Sequence, residues 1–213
     1  MLIITAGMIG VGKTTLTGKL AKHLGTTPFY EPVEENPVLP MYYGDPKRYG
    51  FLLQIYFLNK RFAMIKQAMQ DDNNILDRSI YEDALFTEEN YKSGNITKVE
   101  FDIYLALLNN MLEEINATAK ERPDLLVFID ADFDTILERI KKRGRDYEQI
   151  DGKPELVSYY RRIWSSYRNW FEDYDISPKI RIDLETKDLG NEEDTEFVLR
   201  EIDRKLVDIK VVS

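Results

Sequence analysis

The chain has 213 residues, of which 43% are hydrophobic and 31% are charged, and its formal net charge is −9. This size and composition predict one soluble globular domain with a substantial core, and the acidic balance argues against non-specific binding to nucleic acid or anionic membranes. Because the chain has no cysteine, disulfides, thiolate catalysis and cysteine-based metal sites are excluded. No apolar stretch approaches transmembrane length, and residues 1–6 run directly into the first motif, which leaves no room for a signal peptide. We therefore expect a cytoplasmic protein.

Short apolar runs alternate along the chain with helical patterns, which is typical of a parallel α/β sheet. The predicted strands are Leu2–Ala6, Thr27–Glu31, Asn74–Asp77, Leu125–Asp130 and Ile180–Asp183. Helical patterns are predicted at residues 13–24, about 46–71, 80–92, 97–120, 133–143, 154–174 and 192–208. Four runs have an acid at or just past the carboxyl end, where open parallel sheets bind ligands: Glu31, Asp77, Asp130 and Asp183. No repeat or linker divides the sequence, so residues 1–213 are expected to form a single domain.

The first motif, at residues 7–14, has the form G-x-x-x-x-G-K-[ST] of a phosphate-binding loop, the P-loop. It lies between a predicted strand and a predicted helix, and this context argues against an ordinary tight turn. Backbone N–H groups and the helix dipole would bind a polyphosphate, Lys13 would reach its outer phosphates and the Thr14 hydroxyl would hold Mg²⁺. The predicted ATP-binding residues of this region are Gly7, Met8, Ile9, Gly10, Val11, Gly12, Lys13, Thr14 and Thr15.

Among P-loop proteins, the rest of the chain favours a small-molecule kinase. A GTPase would normally carry an Asn-Lys-x-Asp element, and the nearest string, Asn59-Lys60-Arg61-Phe62, lacks the aspartate. Motor-type ATPases usually need a longer chain and a partner. A kinase needs an acceptor pocket and a mobile basic lid that closes over the donor phosphates.

The predicted lid is the basic segment at residues 139–149. Arg139 and Arg143 are four residues apart and so share a helix face, and Gly144 ends the helix and gives Arg145 a separate orientation. Arginines directed at the transferring phosphate stabilise the charge of the transition state. The alternative interpretation is a solvated helix end whose cations complement the helix dipole.

Two acidic elements supply the remaining chemistry. Glu31 precedes Pro32, which fixes the chain, and its carboxylate can accept the proton of an attacking hydroxyl. Asp77 can help to hold Mg²⁺, and Arg78 can orient the base and attract phosphate charge. Alternatively, Asp77 caps the helix predicted from residue 80.

The chain resembles the deoxyribonucleoside kinases, most of all their bacterial deoxyadenosine/deoxyguanosine kinase branch, in four motifs: Tyr30-Glu31-Pro32-Val33, Gln54 with Arg61, Asp77-Arg78-Ser79, and Arg143-Gly144-Arg145. The resemblance covers nearly the whole chain. It implies an α/β P-loop kinase fold, with a five-stranded parallel sheet flanked by helices and a basic lid. It also implies a dimer, with an identical or a related subunit, and transfer of the γ-phosphate of ATP to the 5′-hydroxyl of a deoxynucleoside.

The resemblance further implies roles on the acceptor side. Glu31 would be the general base, assisted by Arg78. Gln54 would hydrogen-bond the nucleobase, and Arg61 would read its edge together with Asp83. Alternatively, Gln54 is a partly buried polar group of a helix, and Arg61 and Asp83 form a structural ion pair.

Further residues are implied for the sugar and the donor. Tyr43 and Glu148 would hold the sugar 3′-hydroxyl, although the neighbouring Tyr42 would replace Tyr43 if the register differed by one. The donor phosphates would be clamped by Lys13 and by the lid arginines Arg139, Arg143 and Arg145.

The choice of acceptor follows from the nucleobase site. A glutamine amide suits the N6/N7 edge of adenine, and by flipping it also serves guanine or cytosine. The pair of Arg61 and Asp83 resembles the purine- and cytidine-accepting members. We therefore expect a purine deoxynucleoside, with deoxyadenosine and deoxyguanosine unresolved and deoxycytidine as an alternative.

Two rival functions use the same P-loop. One is a nucleoside monophosphate kinase, similar to thymidylate kinase, and the other is a non-catalytic ATP-sensing protein. Glu31 discriminates among the three, because only a kinase that acts on a neutral hydroxyl needs a base beside the acceptor.

Overall fold

The computed structural model describes residues 1–70, 73–117 and 122–212. Its five strands form one parallel sheet in the order β2-β3-β1-β4-β5. The strands are β1 (Leu2–Gly7), β2 (Thr27–Phe29), β3 (Asn74–Asp77), β4 (Leu125–Asp130) and β5 (Lys179–Asp183). The predicted five-stranded parallel sheet is therefore confirmed.

Helices flank this sheet. They are α1 (Lys13–Leu24), α2 (Leu39–Gly44), α3 (Pro46–Ala68), α4 (Asp83–Lys92), α5 (Lys98–Asn116), α6 (Phe133–Arg143), α7 (Pro154–Asp173) and α8 (Glu192–Val212). Two 3₁₀ turns add to them, at Ile80–Glu82 and at Asp146–Glu148. Within the three described stretches, no helix is both long and apolar enough to cross a membrane.

The central strands are fully buried, which is why β1 and β4 appear in the sequence as largely apolar runs. In β3 the apolar pair Ile75 and Leu76 lies between the buried polar residues Asn74 and Asp77. In the register of the sheet, Thr5 of β1 lies opposite Asp77 of β3. The P-loop, which leaves β1 at Gly7, therefore lies next to the segment that follows β3. Because β2 pairs with the other edge of β3, the loop after β2 reaches the same end of the sheet.

The second strand and the helix predicted at residues 80–92 differ from the prediction. The second strand stops at Phe29 instead of Glu31, and the N–H of Val33 donates to the carbonyl of Glu31 across a tight turn (2.8 Å). Prolines at 28 and 32 supply no N–H for a longer ladder, so Glu31 lies on a loop beyond the strand. The helix predicted at 80–92 divides into a 3₁₀ turn and α4.

Other differences concern helix α2 and the helix ends. Helix α2 was not predicted, because six residues are too few for a helical period, and the Asn36 side chain caps its start by accepting from the N–H groups of Val38 and Leu39. Helix α3 ends at Ala68 and α5 at Asn116. The last predicted positions of these two helices, 71 and 118–120, lie outside the described residues.

Candidate active site

A cavity of about 480 Å³ opens at the carboxyl ends of β1 and β3, between the P-loop and the lid. It brings together most of the predicted site residues, which come from distant parts of the chain. Those in its wall are Ile9, Gly10, Lys13, Thr14, Glu31, Tyr43, Gln54, Arg61, Asp77, Arg78, Arg143, Arg145 and Glu148. The predicted site residues outside the wall are Gly7, Met8, Val11, Gly12, Thr15, Asp83 and Arg139.

The P-loop backbone requires glycine at specific positions. Gly7 and Gly10 have φ angles of 141° and 81°. A Cβ atom on Gly7 would lie 2.4 Å from the carbonyl oxygen of Ile129, and one on Gly10 would lie 2.6 Å from a side-chain carbon of Ile140. Glycine is therefore required at these two positions, where it allows the backbone to turn its N–H groups towards an anion.

The Lys13 side chain folds back over the loop. Its Nζ donates to the carbonyl oxygens of Gly7 (2.9 Å) and Met8 (2.8 Å). Burial, together with the nearby charge of Arg78, lowers the pKa of Lys13 to about 7 against the opposing effect of Asp77. This ammonium group is therefore poorly compensated until a negatively charged ligand arrives.

Thr14 and Asp77 form the part of the cavity that suits a cation. The Thr14 hydroxyl donates to Oδ2 of Asp77, while Oδ1 of Asp77 is buried without a hydrogen-bond partner. Burial raises the pKa of Asp77, an effect opposed by Lys13 and strengthened by the charge of Glu31. Asp77 does not cap the following 3₁₀ turn, because the Ser79 hydroxyl does so by accepting from the N–H of Tyr81 (3.3 Å).

Glu31 lies between two arginines. Its Oε1 accepts from Nε (3.0 Å) and Nη2 of Arg61, and its Oε2 lies 3.0 Å from Nε of Arg78. Burial alone would raise the pKa of Glu31, but the charges of Arg61 and Arg78 outweigh it and lower that pKa below its usual value. The carboxylate is therefore ionised at neutral pH although only 9% of the side chain is exposed.

Arg78 adopts a backbone conformation that is rare outside glycine, with a φ angle of 69°. Its N–H donates to the carbonyl of Thr5 (2.9 Å), which holds the residue at the edge of the sheet. Its guanidinium contacts the Tyr167 hydroxyl through Nη1 and lies 3.5 Å from Oε2 of Glu82. Sequence reasoning missed both of these partners. Glu82 could have been found only as the fourth residue of a capping box that begins at Ser79.

The three residues predicted to contact the nucleobase lie close to one another. Gln54 and Arg61 lie on α3 and are both buried in the cavity wall. Nη1 of Arg61 contacts the carboxylate of Asp83, which is fully buried behind it. Arg61 therefore has the structural ion pair that we considered as an alternative, and it lines the cavity as well. The Arg61 guanidinium also lies 4.8 Å from the ring centroid of Phe57.

The two adjacent tyrosines have different hydrogen-bond partners. The Tyr42 hydroxyl donates to Oδ1 of Asn90 (2.8 Å). The Tyr43 hydroxyl lies 3.4 Å from that of Tyr160, which is itself 3.3 Å from the carbonyl oxygen of Glu148. Tyr160 thus connects Tyr43 to Glu148, while the Tyr42 hydroxyl is bonded to Asn90 although its side chain also lines the cavity.

The lid arginines fall into two groups. Helix α6 ends at Arg143, and Gly144 follows with a φ of 74°, as predicted. Arg143 and Arg145 both contact the carboxylate of Glu148. The guanidinium of Arg139 instead donates to backbone carbonyls of the P-loop and of the loop after β5, namely those of Val11 (3.0 Å), Leu184 (2.8 Å) and Lys187 (3.0 Å).

Several apolar and aromatic side chains complete the wall. They were not predicted as binding residues, because in the sequence they cannot be told from ordinary core positions. They are Val33, Leu39, Leu53 and Tyr159.

The chain is similar to known proteins over almost its whole length. The family model for deoxynucleoside kinases matches residues 3–208 of this chain. A deoxyguanosine kinase of Lactobacillus johnsonii is 54% identical over 205 residues, which are 96% of this chain and 92% of that protein. A deoxyadenosine kinase of Lactobacillus acidophilus is 50% identical over 97% of both chains.

The fold is shared with solved structures of deoxyadenosine kinase from M. mycoides. The structure with bound dATP has a TM-score of 0.79 and 31% identity, and it covers 97% of this chain and 99% of that one. A structure of that enzyme with the products dCMP and dCDP has a TM-score of 0.79 and 30% identity, and it covers 96% of this chain and all of that one.

Proposed function

Because this chain belongs to the deoxynucleoside kinase family, we propose that it transfers the γ-phosphate of ATP to the 5′-hydroxyl of a purine deoxynucleoside. The chain is an ATP-dependent deoxynucleoside kinase, and the acceptor and the residue roles are what we propose here. One observation carries the proposal. An ionised carboxylate, Glu31, lies in the same cavity as the P-loop and is held there by Arg61 and Arg78.

In the proposed reaction, the 5′-oxygen of the acceptor attacks the γ-phosphorus of ATP. The bond between that phosphorus and the β,γ-bridging oxygen breaks, and ADP leaves. Glu31 accepts the proton of the hydroxyl, which is a role for an ionised acceptor-side carboxylate. Arg78 keeps the carboxylate oriented through its contact with Oε2, and Lys13 turns from the loop carbonyls to the phosphates.

Thr14 and Asp77 are the residues that would hold Mg²⁺. The buried Oδ1 of Asp77 has no hydrogen-bond partner, and burial raises the pKa of this carboxyl against the opposing charge of Lys13, so a bound cation would further stabilise its ionised form. The described residues contain no cluster of three acidic or histidine side chains that could hold a metal ion. This fits Mg²⁺, which usually binds through one or two protein groups, water and substrate phosphates. When bound, it would neutralise charge on the phosphates.

The nucleobase would lie against α3, where Gln54 and Arg61 face the cavity. An amide beside a guanidinium can pair with the polar edge of a purine, and Phe57 and Phe86 in the same wall offer apolar contacts. The similar proteins include both deoxyguanosine and deoxyadenosine kinases. The similar proteins therefore support a purine acceptor without ranking the two bases, and the dCMP bound to the M. mycoides enzyme makes deoxycytidine the alternative acceptor.

Tyr43 and Glu148 would bind the sugar 3′-hydroxyl, while Arg143 and Arg145 would bind the donor phosphates. Both arginines contact Glu148, so the lid links the acceptor side of the cavity to the donor side. Arg139 would act on the donor more indirectly, by holding the backbone of the P-loop at Val11.

Phosphorylation of a substrate panel by the purified protein with Mg·ATP tests the proposal. The panel comprises deoxyadenosine, deoxyguanosine, deoxycytidine and thymidine, their ribonucleosides and the matching monophosphates. We expect conversion of the purine deoxynucleosides to 5′-monophosphates. Activity confined to the monophosphates would instead assign the protein to the monophosphate kinases and remove Glu31 from the mechanism.

We also propose a dimer, with an identical or related subunit. Apolar side chains are exposed on the two long helices α3 and α5, which pack against each other, at Leu52, Val99 and Ile103. Light scattering should give twice the mass of the chain, and Ile103→Asp should shift it towards the monomer. A monomeric wild-type protein would contradict this proposal.

The cytoplasmic location remains a prediction, which cell fractionation would test.

A further inference from the structure

Arg78 is held from behind by a buried pair, Tyr167 and Glu82. The Tyr167 hydroxyl accepts from Nη1 of Arg78 and donates to Oε2 of Glu82 (2.6 Å). Tyr167 is 1% exposed and Glu82 is 0% exposed. Both lie on the opposite side of the guanidinium from the contact between its Nε and Glu31.

Helix capping does not account for the burial of Glu82. Its Oε1 accepts from the N–H of Ser79 (3.3 Å) and so completes a capping box. The same chain has a second capping box, between Thr97 and Glu100, whose hydrogen bonds are exposed to solvent. A capping box therefore functions here at the surface, whereas Glu82 is buried and its second oxygen is directed to Tyr167 and Arg78.

Ring packing does not account for the Tyr167 hydroxyl either. The ring stacks on Phe128, with centroids 6.3 Å apart, and meets Phe86 edge to face at 6.0 Å. A phenylalanine would make the same contacts. The hydroxyl adds only the bridge between Arg78 and Glu82, and burying a hydroxyl is unfavourable unless it is hydrogen-bonded.

We propose that Tyr167 and Glu82 are positioning residues that fix the guanidinium of Arg78 so that its Nε stays against Glu31. This inference rests on the proposed role of Glu31 as the base. Arg78 needs such support because its backbone conformation is strained and its side chain is buried. The Tyr167 hydroxyl lies between Nη1 of Arg78 and Oε2 of Glu82. Because it bonds to Glu82 directly, it keeps the Glu82 carboxylate from attracting the Arg78 guanidinium away from Glu31.

The primary test is Tyr167→Phe, which removes this hydroxyl and retains the ring. Nη1 of Arg78 loses an acceptor, and Glu82 becomes its nearest partner on that side, so the guanidinium moves away from Glu31. A misplacement of this kind lowers turnover by roughly 10- to 100-fold. We expect that loss in kcat, with KM for ATP and for the deoxynucleoside changed by less than about threefold, because no substrate contact is removed.

Tyr174→Phe is the matched control. Tyr174 follows α7, is buried, and its hydroxyl bonds with that of Ser177 (2.9 Å), away from the cavity. Each variant loses one buried hydroxyl, so both should lower Tm by a similar few degrees. Only Tyr167→Phe should lower kcat.

A double-mutant cycle with Arg78→Lys separates positioning from a general structural role. If Tyr167 acts through Arg78, the effect of Tyr167→Phe on kcat should largely disappear when Arg78 is already Lys. Glu82→Gln gives a second, independent variant, because the amide can still cap the turn while the charge is lost. It too should lower kcat without changing KM.

The possible outcomes separate this inference from the proposed function. If Tyr167→Phe keeps kcat within about twofold of wild type while Glu31→Gln is inactive, Tyr167 is not a positioning residue and Glu31 remains the base. Additive effects in the cycle with Arg78→Lys would overturn the inference in the same way. If Glu31→Gln itself retains full turnover, the proposed base fails and the inference fails with it.

Discussion

Arg61 and Glu31 form an ion pair inside the cavity, in which Nε and Nη2 of the arginine both contact Oε1 of the carboxylate. The same arginine contacts Asp83 through Nη1. The proposed nucleobase site and the proposed general base therefore share one guanidinium group. If Arg61 contacts the nucleobase as proposed, a change in that contact would also alter the position or pKa of Glu31.

Glu31→Gln should lower kcat by roughly 10²- to 10⁴-fold, the usual range for loss of a general base. The amide keeps the shape of the side chain but cannot take the proton of the 5′-hydroxyl. The Kd for ATP should stay within about threefold, since the P-loop is unchanged. Steady-state kinetics and ATP titration check both values. Glu88→Gln, at an exposed ion pair with Lys92 on α4, is the control and should have no effect. Unchanged turnover in Glu31→Gln would remove this residue from the mechanism.

Gln54→Leu should lower kcat/KM for a purine deoxynucleoside by roughly 5- to 150-fold, which is about 1–3 kcal/mol for one paired base edge. The leucine fills the same space without hydrogen bonding. KM for ATP should not change, because the proposed contact of Gln54 is with the nucleobase of the acceptor only. Gln67→Leu, at an exposed position of the same helix, is the matched control. If both variants keep full kcat/KM, Gln54 does not bind the base.

ATP binding should be accompanied by proton uptake above neutral pH. The pKa of Lys13 is about 7 in the unliganded protein, chiefly because of burial. At pH 8, roughly nine-tenths of this group is therefore neutral, and nearby phosphates raise its pKa and recharge it. Calorimetric titration with Mg·ATP in two buffers of different ionisation enthalpy should show uptake approaching one proton at pH 8 and little below pH 6.

The sign of the stability effect follows from the same pKa. Since it is lowered in the folded state from the ordinary value of 10.5, the unfolded chain binds more protons between about pH 7 and pH 10.5. This group therefore makes the free energy of unfolding rise with pH across that range.

Two variants test the assignment of the proton uptake to Lys13. Lys22→Met, an exposed change on α1, should keep the uptake, and Lys13→Met should abolish it. Equal uptake in both variants would contradict the assignment.

Gly7→Ala should abolish ATP binding and lower the free energy of unfolding by more than backbone strain alone, which costs of order 1–3 kcal/mol. The added Cβ would lie 2.4 Å from the carbonyl oxygen of Ile129, a backbone atom that cannot rotate away. Gly152→Ala is the control, because its φ is also positive (70°) but a Cβ meets nothing within 4 Å. Denaturant unfolding should show about 1–2 kcal/mol for this control. Equal destabilisation of the two variants would mean that the close approach at Gly7 is relieved.

The sequence was sufficient for much of the fold. Short apolar segments identified β1, β3 and β4, because strands buried on both faces are mostly apolar. The P-loop was recognisable because only glycine fits the backbone at positions such as Gly7 and Gly10, which fixes the spacing of the motif. Helix α2 and the early end of β2 were not foreseen, since one is too short to show a period and the other depends on where the ladder with β3 stops.

For the candidate site, too, some features could be predicted from the sequence and others could not. The chain by itself determined which residue types are available, namely a P-loop lysine, strand-end acids and a basic lid, because these follow from local spacing. Only the tertiary structure decided their partners. Glu31 and Arg61 are 30 positions apart, and the bridge from Arg78 through Tyr167 spans 89. Such contacts depend on how α3 and α7 pack against the sheet, and local sequence patterns carry no information on that packing.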